Sequence, residues 1–297
     1  MTLTAIILIT FSIFFHVTWN LMTKGGKPCA AFFFVLTFAT VIVLTPFLLW
    51  DFQAMKSISA KFWWLLAGTG FFETMYYMGL AQGYRNGDIS LVYPLIRALP
   101  VLLVPLFCSV LGIGKPLSFA AVSGMVLIGC GCIVMMAKDV PLWNFRSFHG
   151  SVMLGVIMAS FGTVGYTIID SEAIQLLDTE VFSVPTNIIY NAFINIAILP
   201  WLLMVLIAFS RWRDFKKYRG KNMLRPAMAG IISCFCYMFV LAAMKCVSNV
   251  SYVAGFRQLS IPLGMVLGVF VFKEKVILSR VIGCIIVVIG LILTALY

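Results

Sequence analysis

The sequence predicts an all-α membrane protein with ten transmembrane helices, arranged as two inverted five-helix repeats. Three observations predict it. The 297 residues are 62% hydrophobic and only 10% charged, where soluble domains hold about 45–50% apolar and about 25% charged residues. Apolar runs of about 20 residues, enough to cross a hydrocarbon core of about 30 Å, recur from end to end. Finally, residues 67–115 align without gaps on 227–275: Ala67, Gly70, Tyr77, Met78, Arg97, Leu99, Leu103 and Lys115 meet the same residue type 160 positions later.

The predicted spans run 3–23, 30–50, 62–84, 88–112, 118–137, 149–169, 181–208, 225–245, 249–272 and 278–296. Lipid offers the backbone no hydrogen bonds, so each apolar run must satisfy its own as a helix. The first span begins at Leu3 without a basic n-region or small-residue cleavage site, so it reads as a helix and not as a signal peptide. The third carries Gly79, Gly83 and Gly87 at intervals of four, a small-residue face for close helix packing. The fourth and ninth carry prolines, Pro94, Pro100 and Pro105 in one and Pro262 in the other, which free carbonyls and kink helices. With a one-residue gap the repeat extends into the fifth and tenth spans, where Gly124 and Gly131 meet Gly283 and Gly290. The repeats are residues 1–140 and 148–297. Each has five crossings, and an odd number inserts the second copy upside down, a recurring plan of secondary transporters. The connecting segments leave no room for a soluble domain.

Charge sets the orientation. Segments 1–2, 3–4, 5–6, 7–8 and 9–10 hold fifteen Lys and Arg, while the other side holds Lys56, Lys61, Lys115 and Lys245. That other side also counts Asp170, Glu172, Asp178 and Glu180 as an acidic loop. By the positive-inside rule the basic side is cytoplasmic, which puts both termini on the outside, periplasmic in a bacterial cytoplasmic membrane. The net charge of +11 is thus a topology signal and not a nucleic-acid surface, which would gather its cations on a soluble face. The eight cysteines read as small buried side chains. No metal spacing, ATP-binding string or cofactor motif is present, and nothing assembles an enzyme's acid, base and metal groups.

The polar residues inside the spans are the candidate site. A charge at bilayer depth costs roughly 3 kcal/mol or more, and it survives against a cavity, a partner or a substrate. Arg97 and Arg257, related by the repeat, are the two basic residues inside spans, and Glu73 is read as the one acidic residue there. Two readings of Glu73 stay open: a neutralised Glu73–Arg97 pair, or a carboxylate that exchanges a proton or a substrate amine for Arg97. Ser233 stands opposite Glu73 in the repeat, so Arg257 is expected to reach Glu73 across the interface, cap carbonyls, or bind an anion with its planar fork. Asn187, Asn191 and Asn195 share one helical face, toward a neighbouring helix or the cavity. His16, Trp19 and Asn20 lie on the first span, where His16 offers a titrating group. Tyr77, Tyr93, Tyr166, Tyr237 and Gln258 complete the set.

HVTWNLMTK in the first span, GDISLVYPLIRALPVLLVPL in the fourth and VFKEK after the ninth make the chain resemble the drug/metabolite transporter superfamily, of the EamA-like type, over essentially its whole length. The first repeat departs from the family's Glu-containing end, with LGIGKP in place of VFKEK. The resemblance implies a central cavity among spans 1, 3, 4, 6, 8 and 9, with 5 and 10 peripheral. It implies that Glu73, Arg97, Ser233, Arg257, Trp19, Asn20 and Tyr166 face that cavity. It further implies a secondary transporter, moving a small anionic or zwitterionic, amino-acid-like metabolite by alternating access, in the export direction. Rival expectations of the same fold are efflux of lipophilic cations or drugs and transport related to phosphonate use. The expected partners are the substrate, membrane lipid and a coupling proton, with no cofactor, in a monomer or homodimer.

Overall fold

The computed structural model describes residues 2–25, 28–86, 89–136, 150–177, 180–263 and 278–296. Among them all regular structure is helical: α1 (Leu3–Gly25), α2 (Ala30–Trp50), α3 (Ala60–Asn86), α4 (Ile89–Leu111), α5 (Phe119–Met136), α6 (Gly150–Ala173), α7 (Thr186–Ala208), α8 (Leu224–Met244), α9 (Ser251–Phe256) and α10 (Leu278–Leu296). Six stretches, in α1, α2, α6, α7, α8 and α10, are long and apolar enough to cross a membrane. Large apolar side chains point outward, Trp64 at 81% exposure and Phe119 at 89%. A soluble monomer rarely exposes such a surface, whereas lipid covers it. The protein is a multi-pass helical membrane protein.

Hydrogen bonds sort the helix ends onto two faces. On one, the Thr2 hydroxyl donates to the Cys246 carbonyl at 2.9 Å, and the Asp51 carboxylate accepts the Ser183 and Val184 N–H groups at 3.2 and 2.7 Å. There too the Lys115 N–H donates to the Ser248 carbonyl at 2.9 Å, and Lys245 Nζ donates to Thr186 Oγ1 at 2.9 Å. This N-terminal face therefore gathers the start of the chain and the segments after α2, α4, α6 and α8. On the opposite face Arg225 Nε donates to the Met22 carbonyl at 3.1 Å.

The main helix pairs are α3 with α6, α1 with α8, α2 with α7 and α5 with α10. Exchanging α1–α5 for α6–α10 leaves that set unchanged. Missing side chains make the contacts possible. A Cβ on Gly79 would lie 2.3 Å from the Ala159 nitrogen, and one on Gly162 would lie 2.6 Å from the Tyr76 nitrogen. Between α5 and α10 the repeat-related glycines meet crosswise, Gly124 against Gly290 and Gly131 against Gly283. These are backbone-to-backbone approaches, the small-residue packing expected of helices that associate in lipid.

Two sequence expectations change. The sixth helix does not stop at residue 169; α6 continues to Ala173, and Asp170 is a fully buried helical residue instead of part of an acidic loop. Buried hydroxyl donors replace the water that a loop carboxylate would need. The ninth helix, described as far as residue 263, is not uniform: α9 ends at Phe256 and tightens into a 3-10 turn, Arg257–Leu259, before helical geometry resumes at Ser260. Pro262 explains this, because it has no N–H for the Gln258 carbonyl and its ring crowds that carbonyl. Gly87 and the VFKEK segment lie outside the described residues.

Substituting Gly79→Ala forces α3 away from α6 and is expected to lower stability in detergent by about 1–3 kcal/mol, the usual cost of overpacking. Gly255→Ala, whose Cβ would rest 3.8 Å from Ile128, is the matched control and is expected to melt like the parent in a thermal denaturation assay.

Candidate functional site

A narrow cavity of about 40 Å³ lies where α1, α2, α3, α6, α7 and α8 converge on the 3-10 turn after α9. Its charged and titratable lining comes from both halves of the chain: His16, Glu73, Tyr76 and Tyr77 from the first, Tyr166, Tyr237 and Arg257 from the second. Trp19, Asn191 and Ser233 also face it. A smaller cavity of about 20 Å³ holds Arg97, Gln258 and Thr167. Tyr76, Tyr166 and Arg257 border both spaces, so Arg257 stands at the partition.

The break after α9 presents Arg257 there. Its guanidinium carbon lies 5.9 Å from the Tyr237 ring centre, a cation–π distance that strengthens when the pair is out of water. The Tyr166 and Tyr237 rings meet edge-on at 5.9 Å. Arg257 therefore rests on the aromatic face of Tyr237 from α8 and hydrogen-bonds the Tyr166 side chain of α6. Glu73 and Arg97 line different cavities. The carboxylate that shares a cavity with Arg257 is Glu73.

On α1, Trp19 Nε1 donates to His16 Nδ1 at 3.2 Å, and the two rings sit edge to face. An indole N–H only donates. Nδ1 is therefore the acceptor of that contact. Asn20 Nδ2 lies 2.9 Å from His16 Nε2 and donates to the His16 carbonyl at 2.8 Å. Asn20 thus holds the His16 side chain instead of lining the cavity. Of the α7 amides, Asn195 and Asn191 reach the cavity, and Asn191 donates to the Cys234 carbonyl at 3.0 Å. Asn187 donates to the Met238 carbonyl at 3.2 Å. Both tie α7 to α8. The Tyr93 side chain lies outside the described residues.

No family model matches the sequence, and no curated protein matches it. A solved structure described only as "Crystal structure of protein" superposes with a TM-score of 0.66 at 17% identity, covering 98% of this chain and 97% of the other. That likeness is one of fold.

Sequence reasoning missed Asp170. Its Oδ1 accepts the Thr69 hydroxyl at 2.7 Å and the Tyr190 hydroxyl at 2.7 Å, and its Oδ2 accepts the Tyr237 hydroxyl. The donors come from α3, α7 and α8, so one carboxylate from α6 joins four helices. Residue 170 lies near the end of α6, residue 190 near the start of α7 and residue 237 in the second half of α8, which sets this cage on the N-terminal-face side of the cavity. The signal was present in the spacing: Tyr166 and Asp170 are four apart, one above the other on a helix that continues. The cavity walls from α2 (Leu36, Thr40) were also not anticipated.

Asp170→Ala strips three buried hydroxyls of their acceptor and is expected to destabilise the protein by about 3 kcal/mol or more. Tyr190→Phe removes one of two donors to the same oxygen and is expected to cost about 1–2 kcal/mol. Thermal unfolding in one detergent checks both, and equal stability of Asp170→Ala and the parent would remove the cage as a structural tie.

Proposed function

We propose that this protein is a secondary transporter that moves a small zwitterionic or anionic metabolite by alternating access. Its helices would form two inverted five-helix repeats rocking about the central cavity. One observation carries this reading: Glu73 from the first half and Arg257 from the second line one buried cavity, whose walls also carry tyrosine rings. An enclosed carboxylate and guanidinium in one small space match the amine and the acid group of a zwitterion, and Arg257 suits carboxylate or phosphonate oxygens. The exchange-invariant helix pairing supports the repeat, because two equivalent halves have two equivalent ways to close.

In this reading the Asp170 cage shuts the cavity from the N-terminal face. Opening that face requires Tyr237 to leave Asp170, and Tyr237 also carries Arg257. Release of the gate and repositioning of the anion-binding group are then one movement. Glu73, at the other wall, is the coupling or amine-binding carboxylate. The charge asymmetry of the connecting segments supports a cytoplasmic membrane location with both termini outside, and export is the direction that the family resemblance implies.

In proteoliposomes, Arg257→Ala is expected to abolish counterflow of the substrate, by at least about tenfold if one charge-assisted bidentate contact is lost, while its melting behaviour stays close to that of the parent. Normal counterflow would take Arg257 out of the site. Glu73→Gln is expected to flatten the pH dependence of transport, and an unchanged pH profile would leave Glu73 a packing residue. A reporter fused after Tyr297 is expected to read outside, and a cytoplasmic signal would reverse the orientation.

A further inference from the structure

The segment between α7 and α8 is the most basic stretch of the chain, and it is ordered. Residues Arg211–Tyr218 form a 3-10 helix, followed by a second short one at Gly220–Met223. A 3-10 helix has three residues per turn, so side chains at i and i+3 stack in line. Arg211–Tyr218 is therefore a three-sided rod, and each side has its own chemistry.

The first side is Trp212, Phe215 and Tyr218. Phe215 packs edge-on against Phe34 of α2 at 5.5 Å, and Tyr218 against Phe32 at 5.8 Å. Tyr218 also meets the Cys29 thiol at 3.6 Å. Trp212 stacks on Phe215 at 5.8 Å and remains half exposed. This side fixes the rod to the start of α2. The second side is Arg211, Asp214 and Lys217. Asp214 accepts Arg211 Nε and Lys217 Nζ, each at 2.9 Å. The Lys217 ammonium, with Arg211 behind it, holds the Asp214 carboxyl below the usual carboxylate range, so it stays ionised and occupies both cations. The third side is Arg213 and Lys216, continued by Arg219. All three are exposed, and the segment's one carboxylate is already committed on the neighbouring side.

The rod sits where α7 leaves and α8 enters the apolar region, flanked by Phe209 at 71% exposure and Leu224 at 65%. Exposed apolar groups beside an unneutralised cationic face are the pairing that anionic bilayer surfaces attract. We infer that Arg213, Lys216 and Arg219 form a docking surface for the phosphate headgroups of anionic phospholipid, with Trp212, Phe209 and Leu224 seated in the adjoining leaflet. Lipid docking would hold the rod, and through Phe215 and Tyr218 the start of α2, at a fixed depth. The inference does not depend on what the cavity carries.

The test uses the full-length protein in nanodiscs of phosphatidylcholine alone, and of phosphatidylcholine with phosphatidylglycerol, with thermal stability and retained lipid by native mass spectrometry as readouts. The parent is expected to melt higher with phosphatidylglycerol and to retain it preferentially, an advantage that shrinks as salt is raised. The combined variant Arg213→Gln, Lys216→Gln, Arg219→Gln is expected to lose that preference, by about fivefold for each cation removed. Its melting in phosphatidylcholine alone should equal the parent's, because exposed side chains carry little folding energy. Lys56→Gln with Lys61→Gln, exposed cations of the N-terminal face, is expected to keep the preference. An unchanged phosphatidylglycerol preference in the triple variant overturns the inference. So does stabilisation of the parent by free glycerol phosphate equal to that by the lipid, or an acidic peptide that binds this face where the lipid does not.

Discussion

A single buried carboxylate organises the centre of this protein. Taking Asp170 out of water costs several kcal/mol, and three hydroxyl donors return about 1.5–3 kcal/mol each as bonds to a charged acceptor. The two sums are of similar size, so the cage is close to break-even as a source of stability. Its value lies in what it fixes. Thr69, Tyr190 and Tyr237 come from three helices, and Tyr237 in turn lies beneath Arg257. The orientation of the cavity's guanidinium thus depends on a carboxylate that does not itself line that cavity. An interaction near break-even is also one that a modest binding energy can switch, which is what a gate requires.

The helix pairing supplies the rigid frame around that centre. Glycine contacts between α3 and α6 and between α5 and α10 bring backbones so close that a single methyl group would not fit. The cavity instead forms where side chains are large: four tyrosines, a tryptophan and a histidine line it. Tight glycine seams beside an aromatic cavity divide the molecule into stiff pairs and a deformable middle.

Much of this was legible in the sequence, for identifiable reasons. Helix existence followed from apolar run length, and the crosswise meeting of Gly124, Gly131, Gly283 and Gly290 was foreshadowed by their repeat register. Arg257 and Glu73 stood out because charge is rare inside such runs, and both line the central cavity. What was not legible depended on tertiary partners. Asp170 looked like a loop charge because its hydroxyl donors lie up to 101 residues away in sequence. The end of α9 depended on where Pro262 falls relative to a carbonyl, and the contribution of α2 to the cavity depended on crossing geometry that no local pattern encodes. The basic segment after α7 entered the sequence reading only as part of the loop charge count, and its three-sided order follows from the 3-10 geometry.

The claim that the buried cavity opens alternately to the two sides of the membrane is tested most directly by the reactivity of one cavity position. Ser233→Cys, in a background freed of native cysteines, would be exposed to a membrane-impermeant maleimide from each side of sealed vesicles in turn. The account predicts modification from either side, slower from the N-terminal face while the Asp170 cage is intact and faster there in Asp170→Asn. No modification from either side, with or without that substitution, would mean the cavity is a closed packing defect and would contradict the account.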